Sequence, residues 1–280
     1  MKNKPIKKIS FYSRKDNKIS KKWQSKIESW LKKKHPEIKI TDYNPEAVLV
    51  LGGDGTIMEA ARKYANSKII ILGINLGYLG FLASINNSDD FPVMLDKFFK
   101  GDFDTSAGMI IGAKVIRNKK EVFAAKAFNE IVVQNPLGMV EIDMSIGGEM
   151  IEKIRGSGAL VATPAGSTAY NLSAHGPIVA PNIECLIVTE LFDHDLPTPS
   201  LIIPTTQIIK LTIKNFREHK FLKITSSDET VDVVLIADGV TMFVLQRGDE
   251  ISITRGSSAF KMAVLKSNHF YKSLHSKFGF

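Results

Sequence analysis

Between Ala47 and Leu51 five apolar residues run without a break, the pattern of a strand buried on both faces. Ile57 to Ala65 then follow with helix-forming residues, and Thr56 and Glu59 stand at capping-box spacing, which predicts a helix beginning at Thr56. Alternation at Ile9 and Phe11 predicts a first strand over 8–13, Ile38 and Ile40 a second, Ala47–Leu51 a third, and 68–72 a fourth. Trp23, Ile27, Trp30 and Leu31 recur at i, i+4, i+7 and i+8, one apolar stripe on a helix over 20–34 that stops before Pro36. Phe91, Leu95, Phe98 and Phe99 predict another helix over 90–100. Strands alternating with helices imply βα units and a mainly parallel sheet, in which ligands bind beyond the carboxyl ends of the strands.

The pattern changes near 102–108. From there to about 255, short alternating or apolar runs separated by turn residues replace helical periodicity: 109–117, 127–134, Val140–Ile146, 159–162, 201–203, 208–213 and 231–237. This is a β-rich second domain. Asp238-Gly239 lies between two strand-like runs, a strong hairpin signal. One more strand is expected over 260–265, and Phe270, Leu274 and Phe278 at i, i+4 and i+8 predict a tail that docks. The expected division is therefore an α/β domain over 1–103, completed by 259–280, and a β-rich domain over 104–258.

With 280 residues, 44% of them hydrophobic, the chain can bury a sizeable core. No apolar run approaches the ~20 residues of a membrane span, and the N-terminus leads into no apolar signal core. Cys185, the one cysteine, falls in an apolar strand-like run and reads as an inert buried thiol. A cytoplasmic location is expected. The net charge of +8 is local: residues 1–35 hold 13 Lys or Arg against Asp16 and Glu28. The remainder is slightly acidic, which argues against a nucleic-acid surface spread over the fold, and the lysines of 20–34 read mainly as a solvated helix face.

The candidate chemistry sits in loops. Gly52-Gly53-Asp54-Gly55-Thr56 joins a strand end to a helix start, where backbone N–H groups and the helix dipole attract anions. Asp54 repels phosphate, so it faces a hydroxyl or a metal ion, or is only a turn residue. The segment lacks the Lys-Ser/Thr of a P-loop and does not match Gly-x-Gly-x-x-Gly. A second glycine loop, 73–81, contains Asn75 and Phe81, and its glycines read equally as turns. Asn129-Glu130 at a strand entrance can hold sugar hydroxyls or serve as solvated edge groups. The segment 163–173, Thr-Pro-Ala-Gly-Ser-Thr-Ala-Tyr-Asn-Leu-Ser, is crowded with small and hydroxyl residues that let a ligand approach the backbone. Ser167 is not in a Gly-x-Ser-x-Gly turn, which excludes the usual hydrolase reading.

Taken together, the segment from Gly52 to Thr56, the loop 73–81, Asn129-Glu130, 163–173 and Gly176-Pro177-Ile178 resemble the NAD kinase family in order and spacing, over nearly the whole chain. The diacylglycerol and sphingosine kinases share the Gly-Gly-Asp-Gly loop but not the Thr-Pro-x-Gly-Ser-Thr-Ala-Tyr signature. The resemblance implies an α/β N-terminal domain with a mainly parallel sheet, a β-sandwich-like C-terminal dinucleotide-binding domain and an active site between them. It implies transfer of the ATP γ-phosphoryl group to the 2′-hydroxyl of the adenosine ribose of NAD, giving NADP, with Mg²⁺ or another divalent cation on the phosphates.

By the same resemblance Asp54 is the catalytic base, and Gly52, Gly53, Gly55, Thr56 and Asn75 belong to the nucleotide loops. Phe81 packs on the adenine. Asn129 and Glu130 hold ribose hydroxyls, and Thr163, Ser167, Thr168, Ala169, Tyr170, Asn171 and Ser173 line the dinucleotide. Arg155, Ser157 and Asp238 stand nearby, and no residue is assigned as a protein metal ligand. The implied partners are NAD and ATP, with a homo-oligomer (dimer or tetramer) and neither nucleic acid nor membrane. The chain departs from the family pattern at Ser157, where aspartate is usual, at His175, where glycine is usual, and at Val240, where a polar residue is common. His194 lies in a run resembling the family's Pro-His segment and reads as mainly structural. A lipid kinase and a non-catalytic dinucleotide-binding protein are the alternatives.

Overall fold

The computed structural model describes residues 3–65, 67–77, 80–86, 91–194, 198–218, 231–265 and 269–279. The chain forms two compact units, Met1–Gly108 with Ser258–Phe280, and Met109–Ser257.

In the first unit the strands β1 (Lys8–Tyr12), β2 (Lys39–Ile40), β3 (Ala47–Leu51), β4 (Ile70–Asn75) and β5 (Ile85–Asn86) pair in parallel, in the order β2-β1-β3-β4-β5. The helices are α1 (Lys18–Lys34), α2 (Asp54–Lys63) and α3 (Phe91–Phe99). Every residue of β3 is buried. The core gathers Ile9, Ile27, Leu31, Leu49, Leu51, Leu72, Leu95 and Phe98, joining the strands to the apolar stripe of α1 and to α3. The Ser20 hydroxyl donates to the carbonyl of Leu51 (3.0 Å), tying α1 to the end of β3 that carries the glycine loop.

Several boundaries shift. The first helix begins at Lys18 because Asn17 caps it, accepting from the amides of Ile19 and Ser20. The second starts at Asp54, two residues before the expected Thr56: Gly53 is its N-cap, and the Gly53 carbonyl receives the amides of Thr56 and Ile57. The expected capping box does not form, since Glu59 instead binds Arg14. Gly73 is not in a loop; it pairs with Val50 inside β4, which runs on to Asn75. Tyr78 and Leu79 of the second glycine loop, and Asp90 at the expected start of α3, lie outside the described residues.

The second unit is antiparallel. Its strands are β6 (Asp104–Arg117), β7 (Lys120–Ala127), β8 (Glu130–Gln134), β9 (Val140–Ile146), β10 (Glu149–Gly156), β11 (Gly158–Ala162), β12 (Cys185–Leu191), β13 (Leu201–Pro204), β14 (Ile209–Phe216), β15 (Val233–Ala237), β16 (Thr241–Leu245) and β17 (Glu250–Val264). One sheet has the order β13-β12-β11-β8-β15-β16; the other runs β10-β9-β14-β17, with β6 on β17 and β7 on β6. Alternate residues of both sheets fill one core: Ile131, Val133, Val161 and Leu235 from the first, Ile142, Met144, Leu211, Ile213 and Ile253 from the second. This period-two filling makes a β-sandwich. Residues of opposite parity, Val132, Leu160, Ala162 and Ile187, form a smaller cluster on the outer face of the six-stranded sheet. That face carries α4 (Tyr170–Ser173) and the 3₁₀ turn Ala165–Thr168 before it.

The end of β17 returns to the first unit, where Lys261 and Met262 pair in parallel with Ile70 and Ile71 of β4. The tail then forms α5 (His269–Phe278). Its Phe270 and Phe278 rings lie against Phe81, and Ser273 donates to the carbonyl of Gly80 (3.3 Å).

Candidate active site

In the first unit the buried strand β3 ends at Leu51, and the chain turns through Gly52 and Gly53 into α2. Asp54, the first residue of that helix, does more than sit in a turn. Its Oδ2 accepts the amide of Phe81 (2.9 Å) and its Oδ1 that of Leu82 (3.3 Å). A Cβ at Gly80 would run into this carboxylate, so glycine is required there for the close approach. The two glycine loops that the sequence presents separately are thus tied together by one carboxylate. Each of its oxygens has lone-pair capacity beyond the amide it accepts.

Gly53 and Gly55 are exposed, whereas Gly52 and Thr56 are buried. Asn75 is buried at the end of β4, and its Oδ1 accepts the amide of Gly77 (2.9 Å), shaping the second loop as an Asx turn. The Phe81 ring is flanked by Phe278 (6.3 Å between centroids, 21° between planes) and Phe270 (5.9 Å), and Lys277 Nζ lies 4.4 Å from its centroid. Arg14, just beyond β1, pairs with Glu59 of α2, and its Nη2 lies 3.4 Å from the point where a Cβ of Gly55 would stand.

In the second unit Asp238 organises the opening of β8. It sits in the β15–β16 hairpin turn, where Asp238 and Gly239 both take positive φ (51° and 66°) and Val240 donates back to Ala237. Its carboxylate accepts the amides of Phe128 (2.8 Å), Asn129 (2.7 Å) and Glu130 (3.3 Å). These bonds fix the Asn129-Glu130 pair. Glu130 is 6% exposed, and its Oε2 has no hydrogen-bond partner within the fold. Burial, then the charge of Asp238, pushes its carboxyl up to about 7, against a smaller downward pull from the Tyr170 backbone. A buried oxygen left open in this way is what a ligand hydroxyl would complete.

The hydroxyl-rich segment divides into two classes. Thr163, Ser167 and Asn171 are buried and bond within the fold. The Thr163 hydroxyl donates to Phe128 O (2.7 Å), and that of Ser167 to Pro164 O (2.6 Å). The Asn171 amide donates to Pro177 O (3.0 Å), while its carbonyl accepts the Thr189 hydroxyl (2.8 Å). Thr168 and Ala169 are half-buried, and Tyr170 and Ser173 are exposed. Asn129 and the segment are joined directly, since the Thr163 amide donates to Asn129 O (2.8 Å).

Arg155 ends β10 exposed, near Glu141 (3.7 Å), and its backbone is held by Asp193 and His194. Ser157 links β10 to β11: its amide donates to Leu191 O (2.7 Å), and its carbonyl accepts from Asn135 (2.8 Å). Elsewhere in this unit a cavity of about 900 Å³ is walled by Arg117, Phe216, Phe243 and Arg247. Both guanidiniums there are already paired, with Asp249 and Glu218. Among the described residues no group of three or more His, Cys, Asp or Glu could hold a metal ion, and no helix is long and apolar enough to cross a membrane.

Residues 2–103 match the family model of the ATP-NAD kinase N-terminal domain, and residues 129–265 that of the ATP-NAD kinase C-terminal domain. This chain belongs to the NAD kinase family. A curated NAD kinase of Natranaerobius thermophilus is 34% identical over 83% of the chain and 77% of that protein. That of Syntrophotalea carbinolica is 33% identical over 84% and 78%. Among solved structures, yeast NADH kinase complexed with NADH superposes with a TM-score of 0.82 at 20% identity, over 99% of this chain and 88% of that one. An NAD kinase from Archaeoglobus fulgidus in complex with ATP gives 0.73 at 22% identity, over 96% and 99%. At those identities the two structures speak for the fold: an N-terminal α/β domain and an antiparallel C-terminal domain, as the sequence implies. Both halves match NAD kinase models, so membership of the family sets the lipid-kinase alternative aside.

At Asp238 and Arg14 the structure adds contacts that residue type alone does not specify. Asp238 faces the backbone of β8, a role with no local signal because its partners lie about a hundred residues away. Arg14 could have been found from its place after β1, at the carboxyl edge of a parallel sheet.

Proposed function

We propose that this protein is an ATP-dependent NAD kinase. It transfers the γ-phosphoryl group of ATP to the 2′-hydroxyl of the adenosine ribose of NAD, giving NADP and ADP. The observation that carries the reading is the Asp54 carboxylate, held at the start of α2 by the Phe81 and Leu82 amides in a loop bare of side chains at Gly53 and Gly55. Such a carboxylate can take the proton of an attacking hydroxyl, while exposed backbone N–H groups receive phosphate oxygens. The ribose oxygen bonds to phosphorus, the bond from phosphorus to the β–γ bridging oxygen breaks, and the electron pair leaves with ADP. Phosphoryl transfer of this kind rests on positioning and charge neutralisation.

In the second unit Glu130, with its open oxygen, and Asn129 beside it are suited to ribose hydroxyls. Thr168, Ala169, Tyr170 and Ser173 offer the accessible part of the hydroxyl-rich segment, while Thr163, Ser167 and Asn171 hold its shape. A divalent cation, Mg²⁺ in the first instance, belongs to this reading as the companion of ATP. The Asp54 carboxylate is left to act as base, since the ligands of the cation would be nucleotide oxygens and water. Bound there it neutralises phosphate charge. A cytoplasmic setting, consistent with one buried thiol at Cys185, and a homo-oligomeric assembly complete the proposal.

The test is formation of NADP from ATP and NAD, read by a coupled dehydrogenase. Asp54→Asn keeps the side-chain shape and removes the base, so kcat is expected to fall by about 10²–10⁴-fold with little change in NAD affinity. A near-normal kcat would sink the assignment of Asp54. NAD binding without NADP formation by the unaltered protein would leave the non-catalytic alternative standing.

A further inference from the structure

Transfer from ATP brings several negative charges to the Gly52–Thr56 segment, which, unlike a P-loop, carries no lysine. The neutralising side chain must come from elsewhere. We propose that Arg14 is that group, a guanidinium that binds the terminal phosphates of the donor nucleotide at the glycine loop, with Glu59 as its holder in the free enzyme. This rests on the kinase reading above and adds a residue to it.

Three observations meet at Arg14. First, it lies two residues past the end of β1, which pairs in parallel with β3, so that Tyr12 stands beside Val50. It therefore emerges at the same carboxyl edge as the loop that follows β3. Second, its Nη2 lies 3.4 Å from where a Cβ of Gly55 would be, and, chain neighbours and the backbone of α2 aside, no other described atom comes within 4 Å of that point; at Gly53 no such contact is found. A side chain at residue 55 would fill the space between backbone and guanidinium; glycine leaves it open to a phosphate oxygen that both could bind. Third, the pairing with Glu59 uses one edge of the guanidinium and one carboxylate oxygen: Nε and Nη2 both donate to Oε1 (3.0 and 2.5 Å). Of five donors, three remain, those of Nη1 and the second of Nη2.

The electrostatics fit an exchangeable holder rather than a structural bridge. The Arg14 side chain is 61% exposed and that of Glu59 31%. An exposed pair of this kind contributes little to stability. Arginine binds phosphate in a planar, two-toothed geometry that lysine cannot reproduce. Glu59, one turn along α2 from the loop, keeps the long Arg14 side chain from ranging through solvent and leaves its remaining donors free for the nucleotide. No proton moves through Arg14. It supplies fixed positive charge where charge gathers on the departing β-phosphate.

The proposal is tested by nucleotide binding, independently of turnover. Calorimetry of the full-length protein with Mg-ATP, Mg-ADP and AMP compares wild type, Arg14→Ala and Arg14→Lys. The expected result is that Arg14→Ala weakens ATP and ADP by at least about tenfold and AMP by less than about twofold, with Arg14→Lys between. Equal loss for all three nucleotides, or no loss, overturns it. In steady-state assays kcat/KM for ATP should fall by about a hundredfold or more in Arg14→Ala, with KM for NAD within about threefold. Glu59→Gln separates a binding role from a structural one. Release of Arg14 should weaken Mg-ATP by less than about threefold, whereas matched losses in both variants, with matched falls in melting temperature, would show that the pair merely braces α2. Failure of the wild type to make NADP would refute the kinase reading alone, because the binding comparison stands without it.

Discussion

Replacing Glu130 by Gln removes one negative charge from a place where that charge is costly. The carboxyl is 6% exposed and lacks a partner at Oε2, and burial with the Asp238 charge pushes it up to about 7 from an ordinary 4.5. Between those values the folded protein keeps a proton that the unfolded chain has released. The folded state binds more protons there, so stability falls as pH rises from about 4.5 to about 7, and levels off above. At about 1.4 kcal/mol per unit the gap corresponds to about 3 kcal/mol lost by pH 8 and almost none lost by pH 4.5. Glu130→Gln keeps the shape without the charge. It is expected to match the wild type near pH 4.5 and to exceed it by about 2–3 kcal/mol at pH 8.

The assay must report on the second unit. Both tryptophans, Trp23 and Trp30, lie in the first, so fluorescence would follow the wrong half. Hydrogen exchange at the amides of β8 and β15, with far-UV circular dichroism in guanidinium, reads the right strands. Equal protection of the two proteins at pH 8, or a difference that persists unchanged at pH 4.5, would refute the reasoning. Function should run in the opposite sense. The ionised carboxylate is the better acceptor for a ribose hydroxyl, so NAD affinity of the wild type should rise between pH 6 and 8, while Glu130→Gln binds more weakly and without that slope.

His175 takes φ 60°, the left-handed conformation in which a side chain crowds the following carbonyl, at the position where the family usually has glycine. His175→Gly is expected to relieve part of an about 1–2 kcal/mol strain and to raise the melting temperature, with glycine's greater unfolded-state freedom offsetting some of the gain; a lower melting temperature would show the histidine to be held by contacts that outweigh it. Ser157→Asp, in the link between β10 and β11, restores the carboxylate usual in the family. A hydrogen bond to a charged group can exceed a neutral one by about 1.4 kcal/mol, so KM for NAD should fall by up to about tenfold with kcat nearly constant, and a raised KM in steady-state kinetics would show the pocket rebuilt around serine.

The parts of the fold legible in the sequence are those with a period. The unbroken run of β3, the stripe of Trp23, Ile27, Trp30 and Leu31 on α1, and the alternation of Val140–Ile146 all mark faces against a core, and each is found where the pattern places it. Strands β7 and β10 carry no such signal because most of their residues face solvent. Neither strand presents a clean period-two face to a core, although each closes a short hairpin, β7 onto β6 and β10 onto β9. The start of α2 differs from the sequence pattern for another reason: Thr56 and Glu59 have the residue types of a capping box, but packing buries Thr56 and Arg14 takes Glu59.

The same limit governs the site. Residue type marks Asp54, Glu130, Thr163, Ser167, Asn171 and Asp238 as polar groups in glycine- and hydroxyl-rich loops, and such groups suit a ligand and a backbone amide equally well. Only the fold divides them. Thr163, Ser167 and Asn171 turn inward and bond to the chain, and Asp238 collects three amides of the β8 entrance. Glu130 is buried with an oxygen left open, and Asp54 is bonded yet stands at an exposed loop. A loop that must hold phosphate or ribose against an exposed backbone needs internal polar bonds of its own, because it has few apolar side chains to pack. The inward-facing residues therefore shape the segment from within, and removing them is expected to disturb folding first.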